Sequence, residues 1–441
     1  MKAVFLCGGN GERMFPITED KFLLNFLGKP LLQHQMQIAQ KAGLKHFVII
    51  GNPGNTPAIE QVTIGLSEIK VELALQREPL GIANALESAS KFLEGDIILV
   101  NPNDVFESSA YSAILAAYRN NSAGSYILGY KVSDYFPGGY LVVDEQNYLK
   151  HIVEKPGADK QPSDLVNIMV HFHTNPDKLL EYIKKVKATR DVVYECSLDN
   201  MVQDHQRIAV VPYDGFWQAI KYPWHIFKVV KYFLDRSEPY ISPSARISPR
   251  ALIEGRVIIG DDVRVLENAV IRGPVYIGPN SVIGNNALVR DYSHIGADCV
   301  VGYGTEVKTS YIGNNCWFHS NYIGDSIIGD GCSFGAGTVL ANFRFDEGNV
   351  KVMVEGKLTD TGQDKLGAII GSNSRTGINT SIMPGIKIGP NSFVGPHVCL
   401  TQDLDHDKII LAEPGYRILE NATELDAKKK QELMRRLRCV E

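Results

Sequence analysis

A glycine-rich segment close to the start of the chain carries the residue types that hold and transfer phosphate groups. Residues 6–14 read LCGGNGERM and follow the apolar run KAVF, which predicts a β-strand. A loop of this composition can aim backbone N–H groups at a phosphate without side-chain obstruction. Arg13 and Lys21 add two positive charges suited to neutralising a phosphoryl group during its transfer. The segment indicates phosphate binding.

Further polar residues follow the glycine-rich segment in a definite order. They are Gln76 with Gly81, Asp104 shortly after the apolar run IILV, Gly139, the pair Glu154-Lys155, and Asn167. Taken singly, Gly81 reads as a turn residue, Asp104 as a helix cap, and Glu154-Lys155 as a surface ion pair of negligible energy. Their joint order favours a functional site.

This ordered series resembles the sugar-1-phosphate nucleotidyltransferases over the first 235 residues. The resemblance implies a three-layer α/β sandwich in which a sugar phosphate oxygen attacks the α-phosphate of a nucleotide and expels pyrophosphate. Such a displacement needs alignment and charge neutralisation, which the resemblance assigns to Arg13 and Lys21. It further implies nucleotide binding by Leu6, Gly8, Gly9, Gly11, Gln76 and Gly81, a Mg²⁺ ligand in Asp104, and sugar phosphate binding by Gly139, Glu154, Lys155 and Asn167.

Three positions depart from the pattern of that family. Ala219 stands two residues after Trp217, where the family usually has a second metal-binding Asp, and a methyl group cannot ligate a hard cation. Asp20 replaces the usual proline before Lys21, and Ile82 replaces a common threonine after Gly81. An impaired nucleotidyltransferase site is therefore one open alternative.

A second group of polar residues lies in the C-terminal half. Alone, a histidine such as His319 would be read as structural, but the stretches 318–325, 334–338 and 341–346 resemble the acetyltransferase half of the bifunctional enzymes that make UDP-N-acetylglucosamine, nearest to their archaeal-type variant. The resemblance implies that His319 is the general base for the amine of glucosamine-1-phosphate, a role suited to an imidazole. It also implies substrate binding by Arg290, Lys308, Tyr322, Asn342 and Lys351.

The chain has two different hydrophobic patterns, which predict two kinds of structure for holding these residues. Over residues 1–235, short apolar runs alternate with amphipathic helical patterns, which predicts an α/β fold with a mostly parallel sheet. Residues 236–420 repeat a branched apolar residue, often followed by glycine, at six-residue spacing, which predicts a left-handed parallel β-helix. We expect the polar segment 342–365 to leave the stack as a loop, and residues 421–441 to form a helix.

Composition restricts the class of protein. A chain of 441 residues favours two or more domains. A net charge of -5 argues against nucleic acid binding, and no apolar stretch is long enough to span a membrane. Seven cysteines without a CxxC pair suggest neither a disulfide framework nor a zinc site. We expect a cytoplasmic protein with small-molecule partners.

The leading hypothesis is a bifunctional enzyme that acetylates glucosamine-1-phosphate with acetyl-CoA and then couples the product to UTP, with Mg²⁺. The resemblance implies a homotrimer through the β-helix, with acetyl-CoA between adjacent subunits. One alternative is a glucose- or mannose-1-phosphate nucleotidyltransferase whose β-helix is only a scaffold. Another is a non-catalytic regulatory subunit, which Ala219 favours and the presence of Arg13, Lys21 and Asp104 opposes.

Overall fold

The computed structural model describes residues 1–9, 11–64, 66–120, 122–187, 192–413, 415, 418–421 and 426–438. Its N-terminal part is an α/β unit with a mixed sheet in the order β10 (Leu149–Glu154), β9 (Gly139–Val143), β11 (Leu165–His173), β6 (Ile97–Val100), β1 (Lys2–Leu6), β4 (His46–Gly51) and β5 (Lys70–Leu75). β8 (Ser125–Lys131) pairs with β11, and β12 (Ile208–Tyr213) pairs with β8. The central strands β6, β1, β4 and β5 are parallel, whereas β11 runs antiparallel to β6.

The strands of this unit are β1 (Lys2–Leu6), β2 (Asn25–Phe26), β3 (Lys29–Pro30), β4 (His46–Gly51), β5 (Lys70–Leu75), β6 (Ile97–Val100), β7 (Asp104–Phe106), β8 (Ser125–Lys131), β9 (Gly139–Val143), β10 (Leu149–Glu154), β11 (Leu165–His173), β12 (Ile208–Tyr213) and β13 (Trp217–Ala219). The helices are α1 (Leu31–Lys41), α2 (Thr56–Ile64), α3 (Gly81–Ser88), α4 (Ser108–Asn120), α5 (Pro176–Lys185), α6 (Val193–Gln203) and α7 (His225–Arg236), with 3₁₀ turns at Glu12–Met14, Lys21–Leu23, Ser90–Phe92 and Ala158–Lys160.

The sheet is buried on both faces, which explains why its central strands read as continuous apolar runs. Along β1, Val4 packs into the core on one face and Phe5 into the core on the other. The same alternation holds in β6, where Leu99 and Val100 face opposite sides. The predicted α/β architecture is therefore confirmed, and the glycine-rich loop after β1 lies at the carboxyl ends of the parallel strands.

The C-terminal part is a parallel β-helix of hexapeptide repeats, as predicted, with three sheets. The first sheet holds β14 (Tyr240–Ile241), β17 (Val257–Ile259), β20 (Val275–Ile277), β23 (Ser293–Ile295), β26 (Tyr311–Ile312), β29 (Ile327–Ile328), β34 (Ile369–Ile370) and β37 (Lys387–Ile388). The second holds β15 (Arg246–Ile247), β18 (Arg264–Val265), β21 (Val282–Ile283), β24 (Val300–Val301), β27 (Trp317–Phe318), β30 (Ser333–Phe334), β35 (Arg375–Thr376), β38 (Phe393–Val394) and β40 (Ile409–Ile410). The third holds β16 (Leu252–Glu254), β19 (Val270–Arg272), β22 (Leu288–Arg290), β25 (Glu306–Lys308), β28 (Tyr322–Gly324), β31 (Val339–Leu340), β36 (Ser381–Ile382) and β39 (Cys399–Leu400).

In-register stacking of aliphatic side chains builds the core of the β-helix. One ladder in the first sheet runs through Ile259, Ile277, Ile295, Ile312, Ile328, Ile370 and Ile388. Each of these side chains is at most 1% exposed. The register places equivalent residues of successive coils directly above one another, which decides where the polar side chains of the third sheet meet.

The segment 342–365 leaves the stack, but the expectation of a plain loop is wrong. It contains an antiparallel hairpin of β32 (Lys351–Val354) and β33 (Lys357–Asp360). The two connecting residues, Glu355 and Gly356, both have positive φ, at 47° and 75°, as a tight hairpin turn requires. The dipeptide Glu-Gly between two short apolar-containing runs was the available signal.

The helix near the end of the chain is α8 (Ala427–Arg438). Asp426 precedes it, and its carboxylate accepts hydrogen bonds from the N–H groups of Lys428 and Lys429. This is the usual capping arrangement for the first turn.

One apolar cluster joins the two parts of the chain. Phe26 of the α/β unit packs beside Phe233 of α7 and Tyr311 of the β-helix, with ring centroids 5.7 and 5.8 Å away. The backbone N–H of Leu27 donates to Nε2 of His294, 3.2 Å away, and His294 stacks between two tyrosines of the first sheet. The N-terminal unit thus rests directly on the first sheet of the β-helix.

Among the described residues, no helix is both long and apolar enough to cross a membrane.

Candidate functional site

The glycine-rich loop and Gln76 meet as the sequence predicts. The loop leaves the end of β1 at Leu6, and a Cβ on Gly8 would lie 2.0 Å from Oε1 of Gln76, so any side chain there would displace the Gln76 amide. Gln76 is held in turn by bonds from its amide to the carbonyl of Gly81, 3.1 Å, and to Oδ1 of Asn84, 3.0 Å. Gly81 begins α3 with φ +88°. Gly9 is exposed, with open space beside it.

Two cations lie on the continuation of this loop. Arg13 is the middle residue of the first 3₁₀ turn and Lys21 begins the second. Gly11 packs against the stem of Lys21, since a Cβ there would lie 3.2 Å from Cε. Burial and the positive charge of Arg13 lower the pKa of Lys21 to about 8, partly opposed by Asp104. The three charges therefore share one electrostatic neighbourhood.

Asp104 is buried where two short strands pair. Its carboxylate accepts a hydrogen bond from Nε1 of Trp217, 3.1 Å away, and burial raises its pKa. In the antiparallel pairing of β7 with β13, Ala219 stands directly opposite Asp104. Directly opposed side chains share one face of the ladder with Cβ atoms about 5 Å apart. An acidic residue at 219 would therefore pair with Asp104, but the chain has a methyl group there.

Three of the residues implied for the sugar phosphate, Gly139, Glu154 and Asn167, lie close together. A Cβ on Gly139 would lie 3.3 Å from Oε1 of Glu154 and 3.5 Å from Cβ of Asn167. Oε2 of Glu154 is buried and has no hydrogen-bond partner among the described residues. A buried acceptor without a partner is costly unless a ligand supplies a donor. Lys155 is exposed at the rim, with φ 45°.

A buried chain of hydrogen bonds stands behind Asn167, and sequence reasoning missed it. Nε2 of His171 lies 2.7 Å from Oδ1 of Asn167, and Nδ1 lies 2.7 Å from the hydroxyl of Tyr194. The same hydroxyl lies 3.0 Å from Nε2 of His173, whose Nδ1 is 2.8 Å from the hydroxyl of Ser125. Burial lowers the pKa of His173 to about 4 and that of His171 strongly, so both rings are neutral.

Neutral rings make this chain directional. When Asn167 presents Oδ1, His171 donates from Nε2 and accepts at Nδ1 from Tyr194. Tyr194 then accepts from Nε2 of His173, which accepts at Nδ1 from Ser125. This assignment rests on consistency of donors and acceptors along the chain. It leaves the amide N–H₂ of Asn167 available for a ligand.

Lys221 is another residue of this site that sequence reasoning missed. Its ammonium donates to the carbonyl of Pro137 and lies 3.7 Å from the ring centroid of Phe136. It is also placed beside Gly138, where a Cβ would be 3.4 Å from Nζ. No local motif marks it, because the pairing of β13 with β7 brings it here from a distant part of the sequence.

In the β-helix, Arg290 and Lys308 occupy equivalent positions of successive coils in the third sheet. Both are ion-paired: Arg290 with Glu306, 2.7 Å, and with Asp291, and Lys308 with Asp325, 3.2 Å. The structure therefore brings the two implied phosphate-binding cations together, but it also neutralises them with carboxylates that the sequence analysis did not single out.

Asp325 joins three of the implied acetyltransferase residues. Its Oδ2 accepts from Lys308 and from the amide of Asn342, and that amide also lies 3.2 Å from the hydroxyl of Tyr322. Asp325 is buried, with φ 47°. Its place beside these residues follows from coil stacking, which a linear motif does not display.

His319 and Lys351 lie apart from that cluster. His319 follows β27 of the second sheet, is exposed, and its imidazole makes no hydrogen bond to any described residue. Lys351 begins β32 and helps to line a cavity of about 400 Å³ together with Phe343, Arg344, Phe345, Asp346, Val350, Met383 and Pro384. Within one chain, the imidazole of His319, which the resemblance implies as general base, therefore makes no hydrogen bond to the other implied residues.

Comparisons with known proteins match both parts of the chain. The sequence profile of the nucleotidyl transferase family matches residues 2–220, and that of the bacterial transferase hexapeptide (six repeats) matches residues 367–402. A bifunctional sugar-1-phosphate nucleotidylyltransferase/acetyltransferase of Sulfurisphaera tokodaii is 35% identical over 411 residues, covering 92% of this chain and 98% of the relative. The bifunctional protein GlmU of Methanococcus maripaludis is 37% identical over 415 residues, covering 93% of this chain and 97% of the relative.

Proposed function

Because the chain belongs to the family of bifunctional sugar-1-phosphate nucleotidylyltransferase/acetyltransferases, we propose that it makes UDP-N-acetylglucosamine in two steps. Acetyl transfer from acetyl-CoA to glucosamine-1-phosphate takes place on the β-helix. Uridylyl transfer from UTP to N-acetylglucosamine-1-phosphate takes place in the α/β unit. The observation that carries the second step is the convergence of phosphate-loop cations and sugar-side acceptors around Asp104.

In the uridylyl step, an oxygen of the sugar phosphate bonds to the α-phosphorus of UTP as the bond from that phosphorus to the bridging β-oxygen breaks. Pyrophosphate leaves with the electron pair. Arg13 and Lys21 neutralise the charge of the phosphates, while Gln76 and the loop at Gly8 hold the nucleotide. Glu154 accepts from sugar hydroxyls, and the amide of Asn167 donates to the sugar phosphate.

The residues present fit a Mg²⁺ ion that is bound to the nucleotide. They fit less well a Mg²⁺ ion that the protein alone would hold. Asp104 offers one carboxylate, and Ala219 opposite offers none. One carboxylate suffices for Mg²⁺ when phosphate oxygens and waters supply the remaining ligands. Asp104 would hold such an ion, which when bound neutralises phosphate charge and orients the triphosphate.

In the acetyl step, the amine of glucosamine-1-phosphate bonds to the thioester carbonyl carbon of acetyl-CoA, and the carbon–sulfur bond breaks. His319 takes the amine proton, and the departing thiolate is protonated to free CoA. Asn342, which donates to Asp325, and Tyr322, which accepts from Asn342, orient the sugar. Arg290 and Lys308 reach the phosphate by exchanging their carboxylate partners for it.

Assembly as a homotrimer through the β-helix would complete the acetyltransferase site. His319 is exposed beside Trp317 and on the same sheet as Phe393, which are 57% and 43% exposed. A second copy covering this face would bury those rings and enclose the imidazole. Light scattering after size-exclusion chromatography tests the trimer.

We also propose the cytoplasm as the compartment of this protein, because the described cysteines are free thiols.

The experiment that tests the function uses purified protein in two separate assays. Glucosamine-1-phosphate with acetyl-CoA should release free thiol, and N-acetylglucosamine-1-phosphate with UTP should release pyrophosphate. Pyrophosphate without thiol would leave the β-helix as a scaffold, and thiol without pyrophosphate would indicate an impaired α/β site. If neither thiol nor pyrophosphate is released, the proposal is overturned.

A further inference from the structure

Lys221 lies beside the segment that leads to Gly139, one of the residues implied for the sugar phosphate. It follows β13 two residues after Ala219, and its ammonium contacts Pro137, Phe136 and Gly138. One donated hydrogen bond to Pro137 leaves two N–H groups of the ammonium free for other acceptors. The side chain is half-buried, so its charge is not simply solvated.

The surrounding charges locate the ammonium more closely. Burial lowers the pKa of Lys221 to about 8, while the carboxylates of Asp104 and Glu154 raise it and the cations Arg13 and Lys155 lower it. Lys221 is therefore within electrostatic reach of the single buried carboxylate, of the sugar-side acceptor and of a cation of the phosphate loop. Arg13 and Asp104 act electrostatically on both Lys21 and Lys221.

That charge arrangement suits an anion and not a resident divalent cation. Asp104 has no acidic partner across the ladder, because Ala219 occupies the opposed position. Within the part of the chain that the structure describes, no group of three His, Cys, Asp or Glu side chains could hold a metal ion. The three cations Arg13, Lys21 and Lys221 outnumber the two carboxylates at the phosphate end, those of Asp104 and of Asp20, which acts on Cys7 of the glycine-rich loop. A free Mg²⁺ ion would therefore meet net repulsion, whereas a phosphate would meet attraction.

We propose that Lys221 is a phosphate-binding residue of the nucleotidyltransferase site, and that its ammonium supplies the positive charge that a metal held by a second carboxylate would otherwise supply. The inference rests on the proposed function of the α/β unit and names a further residue of that site. Lys221 contacts the phosphates of the nucleotide and sugar where they meet, next to Asp104 and the loop at Gly138.

Binding of inorganic pyrophosphate to the full-length protein tests the anion half of the proposal. Calorimetry is run with EDTA, so that no divalent ion contributes. Loss of one charge-assisted hydrogen bond should weaken binding by about 10- to 100-fold in Lys221→Met. The matched control is Lys228→Met, which removes an exposed lysine of α7 and should leave the affinity unchanged. Equal affinity of wild type and Lys221→Met would overturn the proposal.

Binding of Mn²⁺ without nucleotide, followed by electron paramagnetic resonance, tests the metal half. The double variant Ala219→Asp/Lys221→Met creates two opposed carboxylates and removes one cation, so it should bind Mn²⁺ at least about 10-fold more tightly than wild type. Wild type binding Mn²⁺ as tightly as the double variant would also contradict the proposal. If the double variant does not fold, as circular dichroism would reveal, the single variant and pyrophosphate still decide. Neither binding measurement needs turnover. If the protein has no activity but both affinities change as expected, the proposed function is refuted and the anion-binding role of Lys221 stands.

Discussion

The hydrogen-bonded chain behind Asn167 predicts a selective effect on sugar phosphate binding. The perturbation is His171→Phe, which keeps an aromatic ring of similar size but removes both ring nitrogens. His171 is 0% exposed and makes two bonds of 2.7 Å, so the variant leaves Oδ1 of Asn167 and the hydroxyl of Tyr194 each short of a partner. Each buried group left without its partner costs about 1–3 kcal/mol, so the free energy of unfolding should fall by about 2–6 kcal/mol.

The functional effect follows from the orientation of the Asn167 amide. Without a donor at position 171, no hydrogen bond fixes Oδ1 of Asn167, so the amide can rotate and turn its N–H₂ group away from the ligand. Loss of one hydrogen bond worth about 1.4 kcal/mol corresponds to a tenfold rise in the KM for N-acetylglucosamine-1-phosphate. The KM for UTP and kcat should change by less than about threefold, because no described residue of the glycine-rich loop is hydrogen-bonded to the chain from Asn167 to Ser125. Pyrophosphate release at varied concentrations of each substrate measures both constants.

Two further variants separate positioning from general stability. His171→Gln keeps one donor and one acceptor and should recover most of the sugar phosphate KM. Tyr182→Phe removes a 2.8 Å bond from Tyr182 to Asp204 in the same unit, away from the site, and should lower stability without changing either KM. If His171→Phe raised both KM values equally, or if His171→Gln behaved like His171→Phe, the positioning argument would be refuted.

Three other predictions concern separate parts of the molecule. Gly8→Ala places a Cβ 2.0 Å from Oε1 of Gln76 and should raise the KM for UTP about tenfold by displacing that amide, with thiol release unchanged; an unchanged KM would contradict the close packing. His319→Ala should lower thiol release by about 10²- to 10⁴-fold without affecting pyrophosphate release, and full thiol release would exclude His319 as the base. Burial lowers the pKa of His294 from 6.5 to about 4, and its Nε2 accepts from the N–H of Leu27, so protonation favours the unfolded state. The free energy of unfolding should therefore fall by up to about 3 kcal/mol as pH drops from about 6.5 to about 4, and a wild-type pH dependence in urea melts no steeper than that of His294→Gln would contradict this.

Local patterns predicted the parts of the fold that depend on short-range sequence. The hexapeptide spacing predicted the β-helix because each coil pairs only with its neighbours, as the ladder from Ile259 to Ile388 illustrates. The polar composition of residues 342–365 correctly predicted departure from the stack, but it hid the hairpin whose turn is formed by Glu355 and Gly356.

The candidate site was predictable where a motif is contiguous and not where tertiary pairing creates it. The glycine-rich loop and Gln76 were recognised from their order and lie together in the structure. Lys221 was not, because it lies outside the motifs and the pairing of β13 with β7 brings it to its partners. Asp325 lies within the stretch 318–325 but was given no role, because only coil stacking shows that it contacts Lys308 and Asn342. His171 and His173 look like ordinary strand residues until Tyr194 of α6 closes the chain of bonds between them.

The central claim is that one chain performs both steps, and phosphorus NMR can follow them in a single sample. Purified protein is mixed with glucosamine-1-phosphate, acetyl-CoA, UTP and Mg²⁺, and the phosphomonoester and diphosphate resonances are recorded over time. The glucosamine-1-phosphate signal should give way to that of N-acetylglucosamine-1-phosphate and then to that of UDP-N-acetylglucosamine, with an equal amount of pyrophosphate. A spectrum in which neither the acetylated sugar phosphate nor the nucleotide sugar appears would contradict the central claim.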